Sequence, residues 1–133
     1  MPKATQLNLK LENRTGTLAR LCRDLAHGGV NLLALSAPEA DKGAGVIGLL
    51  VVNREQASHA LTKAGYSFTT EDVLFVEIKN RPGALAKATE KLHQAGIGIR
   101  YAYATAYSKA QKTAAVIAVA AHDLDRADRL LGR

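Results

Sequence analysis

Of the 133 residues only one, Cys22, is a cysteine. A lone thiol excludes an internal disulfide and a thiolate metal cluster. No stretch is apolar for long. The best run, residues 46–52, is interrupted by Gly48. It suits a buried strand and falls far short of the ~20 residues that span a bilayer. The opening "MPKATQLNLK" lacks the apolar region of a secretory signal. There is no basic tail and no run of five like charges. The net charge of +6 is split evenly: 8 Lys and Arg against 5 Asp and Glu in residues 1–67, and 10 against 7 in residues 68–133, give +3 each. Charge spread this thinly favours solvated faces over a nucleic-acid footprint. Catalytic patterns are missing as well. No GxSxG, Walker loop or GxGxxG stands in place, and "GVIGLL" reads as strand rather than as a strand-to-helix turn. His27, His59, His93 and His122 are scattered, with no metal-ligand spacing to one another or to Cys22. The expectation is a cytoplasmic, non-enzymatic protein with no cofactor, no metal, no membrane association and no nucleic-acid partner.

What is present is a globular composition, 47% hydrophobic and 23% charged, over a length that suits one ordinary domain or two very small ones. It is also a repeat. Shifted by 67 positions, residues 9–34 lie on 76–101, and seven of the 26 pairs are identical: Asn13/Asn80, Arg14/Arg81, Gly16/Gly83, Leu18/Leu85, Ala19/Ala86, Leu25/Leu92 and Gly29/Gly96. The identities fall at glycines, loop polars and apolar helix positions, which two copies of one folded unit would share.

Leu7, Leu9 and Leu11 alternate with Gln6, Asn8 and Lys10, a strand with one buried face; Leu74, Val76 and Ile78 repeat it. Leu18, Leu21, Cys22 and Leu25 form a helical stripe, which places Cys22 in the core. Gly28-Gly29 ends that helix, and Gly96 ends its twin. A strand from Val30 to about Pro38, a turn at "DKGAG" and a returning strand, 46–52, follow. A second helix carries Ala57, Ala60, Leu61 and Ala64, and a short strand, "YSFTT", closes the unit near Thr70. The second copy places strands near 73–79, 97–107 and 113–121, with helices near 83–95 and through Leu124, Ala127, Leu130 and Leu131. The fold class is therefore α+β: two ferredoxin-like βαββαβ repeats, each an antiparallel sheet with helices on one face. The domains are expected at 1–70 and 71–133, the second without its last strand, which leaves an edge open to a partner chain and predicts a homodimer. Val73 and Phe75 take the parity facing away from the helices and are candidates for packing between units or chains.

The stretches "ENRTGTLARLCRDLAHGGVNL" and "KNRPGALAKATEKLHQAGIGI" resemble the opening of ACT domains. The family pattern is a strand, Asn or Asp, any residue, Pro-Gly, any residue, Leu, a helix, Gly and an Asn-Ile-like strand start. The two matches cover about 50 residues, and the repeat extends the likeness to nearly the whole chain, which is similar to small stand-alone tandem ACT proteins. The resemblance implies an allosteric regulatory sensor of an amino acid. It places the site at Asn13, Arg14, Thr15, Gly16, Thr17 and Leu18, at Asn80, Arg81, Pro82, Gly83, Ala84 and Leu85, and at Asn31.

Physical chemistry supports that location. The first N–H groups of a helix lack internal partners, and the dipole there favours a carboxylate. An asparagine offers both a donor and an acceptor. Yet Asn also caps turns through its own backbone, and glycine there also serves a tight turn alone. The copies differ: Thr15 stands where the family has Pro and the second copy has Pro82, while Asn31 becomes Gly98. The first loop thus keeps both asparagines. Arg14 and Arg81 read as solvent-exposed or as partners for a ligand carboxylate. Tyr101, Tyr103 and Tyr107 share one strand parity, a ladder that packs across strands or lines a pocket. Two alternatives stand beside the sensor. One is an accessory regulatory subunit of an amino-acid biosynthetic enzyme, since acetolactate synthase small subunits also resemble this loop pattern. The other is an RNA-binding sheet, which shares the element order, although no strand carries its aromatic signature.

Overall fold

A computed structural model describes residues 3–12, 14–39 and 44–132. Six strands and four helices follow in the order β1 (Lys3–Glu12), α1 (Thr17–His27), β2 (Leu32–Ser36), β3 (Ala44–Val51), α2 (Arg54–Lys63), β4 (Thr69–Lys79), α3 (Ala84–Gln94), β5 (Ile99–Thr105), β6 (Lys112–Val119) and α4 (Leu124–Leu131). This is the α+β order of two ferredoxin-like repeats. The turn expected at "DKGAG" lies largely outside the described residues.

The chain divides into two compact units, residues 5–71 and residues 72–133 joined by 1–4. In the N-terminal unit β3 pairs antiparallel with β1, Leu7 opposite Leu49 and Leu9 opposite Ile47, and with β2 on its other side. These alternate positions bury Leu7, Leu9, Ile47 and Leu49 against Leu21 and Leu25 of α1 and Ala57 and Leu61 of α2. Fully burying one such leucine is worth about 1.5–3 kcal/mol. Asn53 caps α2, its side chain accepting from the Gln56 N–H at 3.0 Å.

The C-terminal unit repeats the plan. Its β6 pairs with β4 and β5, Leu74 opposite Ile117 and Tyr103 opposite Val116. Leu74, Val76 and Ile117 are buried with Leu92 of α3 and Ala127 of α4. The copies agree even in irregularity. The register of β2 on β3 shifts between Leu32 and Ala34, and that of β5 on β6 between Ile99 and Tyr101, the same positions displaced by 67. Such a bulge adds one unpaired residue and a local twist.

Four local expectations are changed. Cys22 is exposed rather than buried. At about 100° per residue it lies well to the side of Leu21 and Leu25, which define the buried face. The short strand closing the first copy and the strand opening the second are one continuous element, β4, since neither Gly nor Pro interrupts residues 69–79. Tyr107 falls beyond β5 and is exposed, so the tyrosine ladder has two rungs, Tyr101 and Tyr103, both half-buried. The C-terminal unit takes in Lys3 and Ala4 from the start of β1. Lys3 Nζ lies 2.5 Å from Asp125 Oδ1 on α4. Val73 is fully buried and Phe75 half-buried.

Candidate functional site

The two strand-to-helix loops fold alike, bond for bond. In the first, the Arg14 N–H donates to the Glu12 carbonyl at 3.0 Å, Thr17 to Arg14 at 3.2 Å, and Arg20 to Gly16 at 2.9 Å. In the second, Arg81 donates to Lys79 at 2.9 Å, Ala84 to Arg81 at 3.3 Å, and Lys87 to Gly83 at 2.9 Å. Gly16 and Gly83 precede the helices with φ of 90° and 89°. A Cβ at either would meet nothing within 4 Å. Glycine is therefore set by the left-handed backbone and not by a close neighbour. Neither helix has a side-chain cap, so the first-turn N–H groups of α1 and α3 lack that partner.

Each loop opens onto a cleft. The N-terminal one, about 570 Å³, is lined by Lys10, Leu11, Glu12, Arg14, Thr15, Gly16, Thr17, Arg20 and Tyr66. Its charges are largely paired: Arg14 Nε meets Glu12 Oε2 at 2.8 Å and Arg20 Nε meets Asp24 Oδ2 at 3.9 Å. The Tyr66 hydroxyl donates to Asp24 Oδ2 at 2.8 Å. Burial, followed by this bond to an acidic acceptor, holds the phenol above its ordinary pKa. The C-terminal cleft, about 280 Å³, is floored by Val76, Ile78, Ala84, Ala88 and Leu131 and rimmed by Glu77, Lys79, Arg81, Lys87 and Lys91.

Of the residues expected at the site, Arg14, Thr15, Gly16 and Thr17 line the first cleft, and Arg81 and Ala84 line the second. Asn13 lies outside the described residues. Asn80 serves the fold: its Nδ2 donates to the carbonyls of Tyr107 at 2.9 Å and Ala110 at 2.8 Å, pinning the loop between β5 and β6. Its side-chain oxygen remains as acceptor. Leu18 and Leu85 are exposed at the first turns of their helices, and Pro82 and Gly83 form the turn beside the second cleft. Asn31 is exposed at the start of β2, its carbonyl accepting from the Val52 N–H at 3.0 Å, and it is not among the residues lining the first cleft. Its counterpart Gly98 borders a separate open cleft with Glu90 and His93. Sequence reasoning missed Lys10, Arg20 and Tyr66 in one cleft and Lys79, Lys87 and Lys91 in the other. The i, i+4 spacing of Lys87 and Lys91 on one helix face was the available signal.

A family model described as an ACT domain pair matches residues 3–128. The chain belongs to this family. The ACT pair is 30% identical to protein BT0572 from Bacteroides thetaiotaomicron, whose crystal structure it matches with a TM-score of 0.86 over 98% of this chain and 88% of that one. It shares its fold with the ligand-free regulatory subunit of aspartate kinase from Thermus thermophilus, at a TM-score of 0.68 and 15% identity, covering 99% and 92% of the two chains. The same holds for the regulatory subunit of aspartate kinase from Thermus flavus, at 0.62 and 18%, covering 99% and 92%. No curated protein matches the chain. Among the described residues no helix is long and apolar enough to cross a membrane.

Proposed function

We propose that this ACT pair is a non-catalytic regulatory protein that binds an amino acid at its strand-to-helix loops. The observation that carries the reading is the repetition: two loops with the same hydrogen bonds and the same left-handed glycine each open onto a cleft. A carboxylate set against the first turn of α1 would meet N–H groups without a side-chain cap, with Arg14 beside it. The reading takes residues 1–70 and 71–133 as the two ACT domains and the working protein as a cytoplasmic homodimer. It keeps Asn13, Asn31 and Asn80 as candidate ligand contacts, Asn80 through its free carbonyl oxygen alone.

The test is a thermal-shift screen of the twenty amino acids on the protein and on Arg14→Ala. An amino acid at about one hundred times its dissociation constant stabilises the fold by about 2.7 kcal/mol. In a domain of this size that raises Tm by several degrees. The shift should shrink in the variant. Flat curves for all twenty would refute amino-acid binding by the isolated protein. The accessory-subunit reading is favoured by the fold shared with regulatory subunits of aspartate kinase. It predicts that an amino-acid biosynthetic enzyme co-purifies with the tagged chain.

A further inference from the structure

The two clefts are copies of one another in backbone but not in charge. Displaced by 67 residues, Glu12 becomes Lys79, Asp24 becomes Lys91, and Arg20 becomes Lys87. The two carboxylates that neutralise Arg14 and Arg20 in the first cleft are thus both replaced by lysines in the second. Lys79, Arg81, Lys87 and Lys91 line the second cleft together, and no carboxylate among the described residues pairs with any of them. The one acidic residue there, Glu77, is already engaged by Lys112 Nζ at 3.0 Å. The floor differs too. Ala88 stands where the first repeat has Leu21, and it lines the cleft beside Val76 and Ile78.

We infer that the C-terminal cleft takes a small organic acid carrying at least two negative charges. Arg81, Lys87 and Lys91 line this cleft with Lys79 at its strand edge, so an anion entering it is attracted by several cations, and a zwitterion with no net charge gains less. Lysine ammonium groups act as point charges and accept carboxylate and phosphate alike. A volume of about 280 Å³ is room for roughly nine waters at ~30 Å³ each, the scale of a short-chain diacid or a small phosphomonoester. The apolar floor suits an aliphatic body between the charged ends. This inference rests on the reading that the loop clefts bind small molecules, and it assigns the two clefts ligands of different charge.

Backbone amide shifts in 15N-labelled full-length protein separate the possibilities. The probes are glutarate, glycerol 3-phosphate and alanine, each titrated at low and at physiological ionic strength. The variants are Lys87→Gln with Lys91→Gln, on the surface of α3, and Arg20→Gln in the other cleft as control. The expected result is saturable movement of residues 79–91 with one or both dianions. Alanine should bind there at least about tenfold more weakly. The double variant should lose about tenfold or more in dianion affinity and the control none, with weakening as salt screens the cluster. Which dianion binds more tightly tells diacid from phosphomonoester. Equal dianion affinity in the double variant, or no movement at residues 79–91, overturns the inference. If an amino acid still moves residues 10–20 in that case, the general reading stands and only the charge assignment fails. Silence of both clefts to the dianions, together with flat thermal-shift curves for all twenty amino acids, defeats both. A single-stranded oligonucleotide that binds α3 where the small anions do not would overturn it in favour of a polyanionic partner.

Discussion

Gly28 and Gly83 are both glycines at helix ends, and they are glycines for different reasons. Gly83 has φ of 89° and open space around the place of a Cβ. Gly28 has φ of −85°, which any residue adopts, but a Cβ there would lie 2.5 Å from the Cβ of Ala60 on α2. Gly83 answers to backbone sterics and Gly28 to packing. Gly83→Ala should therefore cost about 1–2 kcal/mol by forcing an L-residue into the left-handed region. Gly28→Ala should cost about 1–3 kcal/mol by pushing α1 and α2 apart. The two mechanisms separate in a double variant. Ala60→Gly should recover part of the Gly28→Ala loss, less the ~1 kcal/mol that glycine costs inside a helix. It should do nothing for Gly83→Ala. Urea denaturation of the four variants measures this, and additivity of Gly28→Ala with Ala60→Gly would show that the helices do not touch there. The C-terminal unit carries Ala95 and Ala127 at these two positions.

At the scale of elements, Tyr66 fastens the segment after α2 to α1 through Asp24. The phenol is held above its ordinary pKa, first by burial and then by this bond. A raised folded pKa means that the neutral hydroxyl stabilises the fold. That contribution is fully present below the unfolded value near 10.0 and fades as pH rises through the folded one. Tyr66→Phe should cost about 1–3 kcal/mol at neutral pH, the value of a hydrogen bond to a charged acceptor. As pH rises through the folded pKa, wild type and variant should converge. A constant gap across that range would show that packing of the ring, and not its hydroxyl, sets the cost. The strands and helices of this unit were legible because alternation at Leu7, Leu9 and Leu11 and punctuation at Gly29 are local signals. Asn53 as a cap and the bulge between Leu32 and Ala34 depend on neighbours in space. The loops were legible through their repeat, since a positive φ demands glycine wherever the fold recurs. The charges of the clefts were not, because Lys87 and Lys91 border one cleft with Arg81 only once α3 is laid against β4. Asn80 reads as a ligand group in the sequence, and its amide nitrogen also holds a turn with both donors, a role that residues 107–110 create from far along the chain.

On the scale of the whole molecule, the C-terminal unit is not contiguous in sequence. It gathers residues 72–133 and the first four. The start of β1 belongs with this unit. The Lys3–Asp125 pair links the start of β1 to α4. Its hydrogen bond, the largest cause for both groups, raises Lys3 above its ordinary 10.5 and lowers Asp125 below its ordinary 3.8. The two signs bracket a window. Asp125 contributes above its unfolded pKa, and that contribution is lost as pH falls through the folded one. Lys3 contributes below its unfolded pKa, and its share is lost as pH rises through the folded one. The pair therefore acts between about pH 4 and pH 10. Both side chains are solvated, so the effect on global stability should be small. Its local effect should be legible in amide exchange. Lys3→Ala should speed exchange along residues 124–131 while leaving residues 54–63 of α2 unchanged, and salt should reproduce the effect in the wild-type protein. Equal acceleration in α2 and α4 would mean that the substitution lowers the stability of the whole chain and that Lys3 does not hold α4 in particular.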